Sequence, residues 1–130
     1  MRSRMHATKD DARHLLTRIA VALVFITFGI WEVTDPKYWS AFMPAFVAGI
    51  LSPPTAVLIH GILLLAIGAA LLTGFYLRIA SALAVIMLLL IVLSLMYLTG
   101  YIQIVIRDTA ILLLALSIFF DDTRYLCMKE

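Results

Sequence analysis

Four side chains in this sequence are of types that could do chemistry, and they come from three separate apolar stretches: Glu32, His60, and the neighbours Arg107 and Asp108. A carboxylate beside an imidazole can hold a proton and pass it on. Arg107 would add a fixed positive charge and Asp108 a second carboxylate. Trp31, Tyr38 and Trp39 lie close to Glu32 along the chain and could hold a flat ligand against these groups. Together these seven residues are the candidate ligand-binding site. No catalytic residue stands out, because the chain has no nucleophile elbow and no phosphate-binding glycine loop. A metal is a weaker use of the same groups. Its ligands would come from three helices with no local motif, and Arg107 would repel a cation.

The elements that must position these residues follow from composition. The chain has 130 residues, 64% of them hydrophobic, and a mean hydropathy of +1.06. A water-soluble domain of this size could not bury so much apolar surface. Lipid is the better solvent, and a helix of about 20 apolar residues crosses its hydrocarbon core. Four stretches qualify, near 14–33, 55–77, 78–98 and 102–120. The expected fold is all-α: an integral membrane four-helix bundle, with a short interfacial helix after the first span and no separate soluble module. Residues 1–13 read as a frayed tail or a short surface helix, and 121–130 as a short charged tail.

Placement of charge orients the bundle. Eight of the ten Lys and Arg residues flank the ends of the spans on one side, and only Lys37 and Arg107 fall on the other. The positive-inside rule then puts both termini in the cytoplasm. The basic N-terminus is interrupted by Asp10 and Asp11 and reads as a topology signal, not as a nucleic-acid contact. Arg18 is placed to snorkel toward the inner headgroups. The single cysteine, Cys127, can form neither an internal disulfide nor a redox pair. The first hydrophobic run lacks a small-x-small cleavage site and leads into further spans, so it reads as a span, not a cleaved signal.

In the connection after the first span, Asp35 suits a helix N-cap and Pro36 the first turn, which predicts a short helix over 36–43. Pro44 then ends the pattern. Span two starts after Pro53-Pro54 and carries His60, Gly61, Gly68 and Gly74. Small residues let helices approach closely in lipid, so span two should lie at the centre of the bundle. Span three has no ionisable side chain after Arg78 and is assigned to packing and lipid contact. Thr99-Gly100-Tyr101 reads as the second outer turn. With both termini inside, Glu32, His60, Arg107 and Asp108 share one depth beneath the outer surface, with Tyr38, Tyr101 and Gln103 slightly above. Buried charge in a membrane is costly and is met by pairing. The cluster is therefore either a structural tie between spans one, two and four or a polar pocket open to the outside. A quinone headgroup would fit such a pocket.

Three stretches carry a family resemblance: RIAVALVFITFGIWEV, HGILLLAIGAALLTGFYLRIASAL and IRDTAILLLALSIFF. On these the chain resembles the DoxX-like membrane proteins from Arg18 to Asp122. Gly61, Gly68 and Gly74 followed by Arg78 are the most specific part, and Arg107-Asp108 the next. The resemblance implies a four-helix bundle in the cytoplasmic membrane of a prokaryote. It also implies a loose link to respiratory or sulfur redox chemistry, since some relatives are named as subunits of a thiosulfate:quinone oxidoreductase. Relatives often carry lysine where this chain has Glu32 and glutamate where it has Leu64; here Glu32 with His60 would replace that pair. The expected role is an accessory or anchor subunit with no catalytic activity of its own, whose partners are the lipid bilayer and a membrane protein or a second copy. A small-molecule transporter or channel component and a non-catalytic scaffold protein are the alternatives.

Overall fold

The computed structural model describes residues 2–98 and 102–127, and the side chains of 11–98 and 102–121. The outer turn expected at Thr99-Gly100-Tyr101 lies outside the described residues. Helix α1 runs from Arg2 to Thr34, a single helix of 33 residues. Of the two expectations for 1–13, tail or short surface helix, residues 2–13 are helical, and they continue without a break into the span. No glycine or proline occurs between Arg2 and Phe28, and polarity alone does not stop a helix that nothing breaks. The apolar part begins at Asp11.

Helix α2 is one turn, Pro36–Trp39, followed by a 3-10 turn at Ser40–Phe42. The Tyr38 amide donates to Asp35 Oδ1 at 3.2 Å, so Asp35 caps the turn as its position suggests. The turn ends because Met43 precedes Pro44 and adopts extended φ −77 and ψ 136. A second 3-10 turn, Val47–Gly49, leads on toward α3, Pro53–Thr73. Helix α3 starts two residues before the expected 55, because both prolines fit a first turn whose amides need no partner. It ends at Thr73, short of the expected 77. Gly74 takes φ +78 and its amide donates to Ala70 O at 2.9 Å. That left-handed end favours glycine. Helices α4, Leu77–Tyr97, and α5, Ile102–Cys127, complete the chain. Residues 121–127, expected as a tail, extend α5, which like the start of α1 contains no glycine or proline. Among the described residues there is no strand.

All four long helices are apolar and long enough to span a membrane. They form a ring in which α1 packs along α3, α3 meets α4, α4 packs along α5, and α5 returns to α1. Each long helix has two long neighbours, but span two also packs against α2 and both 3-10 turns and is the most buried of the four spans, as expected of a central helix. Its glycines face α1 only, while Ala66 and Ala69 are exposed on its other side. The core joins Val21, Phe25, Leu64, Leu71, Leu88 and Ile118 with the alanines 22, 80, 84 and 115. Outward faces of α4 carry exposed Ile86, Leu90 and Leu93, which suits lipid as the surroundings.

Candidate functional site

The closest approach in the bundle builds the site. A Cβ added at Gly61 would lie 2.9 Å from Glu32 Cβ, and one added at Gly68 would lie 2.8 Å from Ile26 Cγ1. Glycine at 61 therefore lets the end of α1 come against the first turns of α3. His60, the residue before it, meets Glu32 there. His60 Nδ1 and Glu32 Oε2 are 2.6 Å apart, with side chains 22% and 11% exposed. One proton occupies that gap. If Glu32 is ionised, Nδ1–H donates to it; if Glu32 carries the proton, its O–H donates to Nδ1. The other ring nitrogen, Nε2, makes no hydrogen bond among the described residues. With Glu32 Oε1, which also has no hydrogen bond among the described residues, it is what the pair leaves for a ligand.

Arg107 and Asp108 form a second, separate pair. Asp108 is buried at 7% exposure, while about half of the Arg107 side chain is exposed, and Arg107 Nε donates to Asp108 Oδ1 at 2.9 Å. Successive helix positions point about 100° apart, so one residue faces inward and the other outward. Among the described residues no hydrogen bond joins this pair to Glu32 or His60. The link runs through a ring. The Arg107 guanidinium carbon sits 4.8 Å from the Phe28 centroid, a cation–π contact between α5 and α1. Phe28 in turn meets Trp31 edge-on at 5.5 Å and Trp39 at 5.7 Å.

Trp31, Tyr38 and Trp39 lie elsewhere on the same end of the bundle. With Thr34 and Asp35 they line an open groove of about 360 Å³ that neither Glu32 nor His60 lines. Trp31 and Trp39 lie nearly parallel, 15° apart at 6.4 Å. Seven residues set down as one site therefore fall into three parts: an imidazole–carboxylate pair, an arginine–aspartate pair, and an aromatic groove, with Phe28 touching the last two. Gln103 is exposed, and Tyr101 lies outside the described residues.

Two contributions were missed from the sequence. One is Phe28, an apolar residue one helical turn before Glu32, which among the described residues connects Arg107 to both tryptophans. The second is Arg18: its Nε donates to Leu71 O at 3.0 Å and its Nη2 donates to Leu72 O at 3.5 Å. It closes the C-terminal end of α3, where carbonyls lack helical partners. No local signal marks that bond, because its ends are 53 residues apart.

Four apolar helices in a ring, with paired charges at one end, define a small helical membrane protein. The DoxX family model matches residues 14–105, most of the chain, and the protein belongs to the DoxX family. No curated protein and no solved structure matches it. The matched stretch covers the Glu32–His60 pair and the aromatic groove, and stops just before Arg107 and Asp108.

Proposed function

We propose that this DoxX protein is an accessory or anchor subunit of a membrane redox assembly, and that its Glu32–His60 pair meets a quinone headgroup. The observation that carries the reading is the 2.6 Å contact from Glu32 to His60 Nδ1, in a histidine side chain that stays 22% exposed and whose Nε2 has no hydrogen bond among the described residues. A quinone dissolves in lipid and would approach that side chain sideways. His60 Nε2 would hydrogen-bond one carbonyl oxygen, and Glu32 would set the proton on the far side of the ring. Reduction also needs two electrons, and a chain with one cysteine has no dithiol to supply them. The electrons would come from a partner subunit, which is why the role is accessory. A sulfur-linked assembly would use the same arrangement. Lys and Arg placement supports both termini inside, and the family resemblance implies the cytoplasmic membrane of a prokaryote.

The test is quinone retention. Purified in a mild detergent, the folded wild-type protein should carry quinone above the amount its bound lipid explains. His60→Ala and Glu32→Gln should lose most of it while keeping their unfolding temperature within a few degrees. Retention in both variants equal to wild type would exclude the pair as the contact.

One observation favours a scaffold reading. An open groove of about 640 Å³ on α3, lined by Ala66, Ala69, Ala70, Thr73, Gly74 and Phe75, would let a partner helix approach closely. A membrane protein that stays bound to His60→Ala but is released by Ala69→Leu would support it.

A further inference from the structure

The aromatic groove has a different chemistry from the proton-holding pair, and its ligand class can be argued without that pair. Its walls are Trp31, Thr34, Asp35, Tyr38 and Trp39. Both tryptophans of the chain are among them. The two indoles lie nearly parallel, at 15° and 6.4 Å, and Tyr38 stands edge-on to Trp39 at 85° and 5.5 Å. Trp31 is 51% exposed and Tyr38 63% exposed, so part of each aromatic side chain remains open to a ligand. Aromatic faces carry negative quadrupole potential and attract cations that sit within about 6 Å of a ring centroid.

Asp35 gives the groove a charge of the same sign. Its Oδ1 accepts from the Tyr38 amide, and its Oδ2 has no hydrogen bond among the described residues. Thr34 adds no competing donor: its hydroxyl is turned back to Ile30 O and Trp31 O at 2.9 and 3.0 Å. Arg107 is held at Phe28 and Asp108, and Lys37, although on the same short helix, is not part of the lining. A neutral quinone ring would gain nothing from Asp35, and an anion would be repelled. A compact, weakly hydrated cation gains from both the rings and the carboxylate.

We propose that this groove binds an organic cation, a quaternary or methylated ammonium group, carried either by a free solute or by a lipid headgroup. A primary ammonium fits less well, because its tight hydration must be stripped before it reaches the ring faces. The volume, about 360 Å³, accommodates a trimethylammonium group together with the first atoms of its carrier.

Because Trp31 and Trp39 are the only tryptophans, intrinsic fluorescence reports on this groove alone. The full chain in a maltoside detergent is titrated with tetramethylammonium chloride, with sodium chloride and tert-butanol as controls for ionic strength and shape. The expected result is a saturable change with tetramethylammonium alone. Asp35→Asn should weaken binding by about tenfold, an effect that shrinks at high salt. Trp39→Leu, followed through Trp31, should abolish it while circular dichroism and unfolding temperature stay near wild type. The titration is repeated in nanodiscs of phosphatidylglycerol and of phosphatidylcholine. A midpoint raised in phosphatidylcholine identifies a lipid headgroup as the occupant, and equal midpoints identify a free solute; either supports a cation site. The proposal is overturned by the absence of saturation in detergent and in phosphatidylglycerol, by an equal response to tert-butanol, or by unchanged binding in folded Trp39→Leu. His60→Ala should leave the titration intact, so failure of the quinone reading and failure of this one are separable.

Discussion

Helices α1 and α3 are joined through glycine and hydrogen bonds, whereas α4 and α5 are joined through alanine, leucine and isoleucine. In the first pair Gly61 and Gly68 bring the backbones together. Arg18 reaches the carbonyls of α3 at one end, and His60 reaches Glu32 at the other. In the second pair the polar groups stay on their own helix. Ser81 donates to Arg78 O, Thr109 to Val105 O, and Asp108 accepts from the adjacent Arg107. Among the described residues no side-chain hydrogen bond crosses from α4 to α5. The difference has a physical source. Lipid removes the hydrophobic drive for helices to associate, so close packing and interhelical hydrogen bonds must supply it. The α1–α3 pair uses both devices and, in doing so, brings a titratable pair together; α4–α5 uses packing alone and brings together nothing that could react.

Forcing the glycine interface apart is the strongest way to break this comparison. Gly68→Leu would push against Ile26, Phe25 and the Ala22 carbonyl. The expected loss is about 3 kcal/mol, read as unfolding in bicelles. A loss below that of Glu32→Leu would mean that polar contacts, not backbone approach, hold α1 to α3.

The two cross-helix polar contacts come next. Glu32→Leu leaves His60 without its partner at a mostly buried position and should cost about 2 kcal/mol. Adding His60→Leu should recover part of that loss, because the orphaned imidazole is removed with it. A double variant worse than the single one would show that the pair is not an energetic unit. Arg18→Met keeps an unbranched apolar stem but loses the bonds to Leu71 and Leu72, and should cost about 1 kcal/mol. If Arg18 only snorkelled to headgroups, thermal unfolding would not shift.

Much of the fold was legible because lipid is a demanding solvent. Runs of about 20 apolar residues have few other uses, and buried charges have few other options than to pair. Glu32 and His60 were therefore expected at one depth before any distance was known. The ends of the helices were not legible. Residues 2–13 and 121–127 are mostly polar, and polarity suggests a tail, but it does not by itself end a helix that no breaker or cap stops. Where such a signal existed, at Asp35-Pro36 and at Gly74, the boundary lay within a few residues of it. The division of the candidate site was legible only in part. Helix periodicity alone turns Trp31 and Glu32 about 100° apart, but that one meets the groove and the other His60 depends on how the helices pack. Arg107 and Asp108 were placed at the right end of the bundle, but their bonding to each other instead of across to α1 depends on side-chain reach that spacing does not encode.

The other half of the comparison is sharpened by two small effects. Leu90 on α4 is 58% exposed; Leu90→Ala should cost less than about 0.5 kcal/mol, because a side chain so exposed contributes little packing. Ser94 is the finer probe. Its Oγ is the one buried side-chain polar atom without a hydrogen-bond partner among the described residues. A buried hydroxyl left unpaired is a cost, whereas a paired one is a small gain. If α4 and α5 are held by packing alone, Ser94→Ala removes that cost, opens a space of only one oxygen, and leaves unfolding unchanged or raised by up to about 1 kcal/mol. A clear loss of stability would mean that the hydroxyl bonds across the interface after all, and that the α4–α5 pair relies on polar contacts as the α1–α3 pair does.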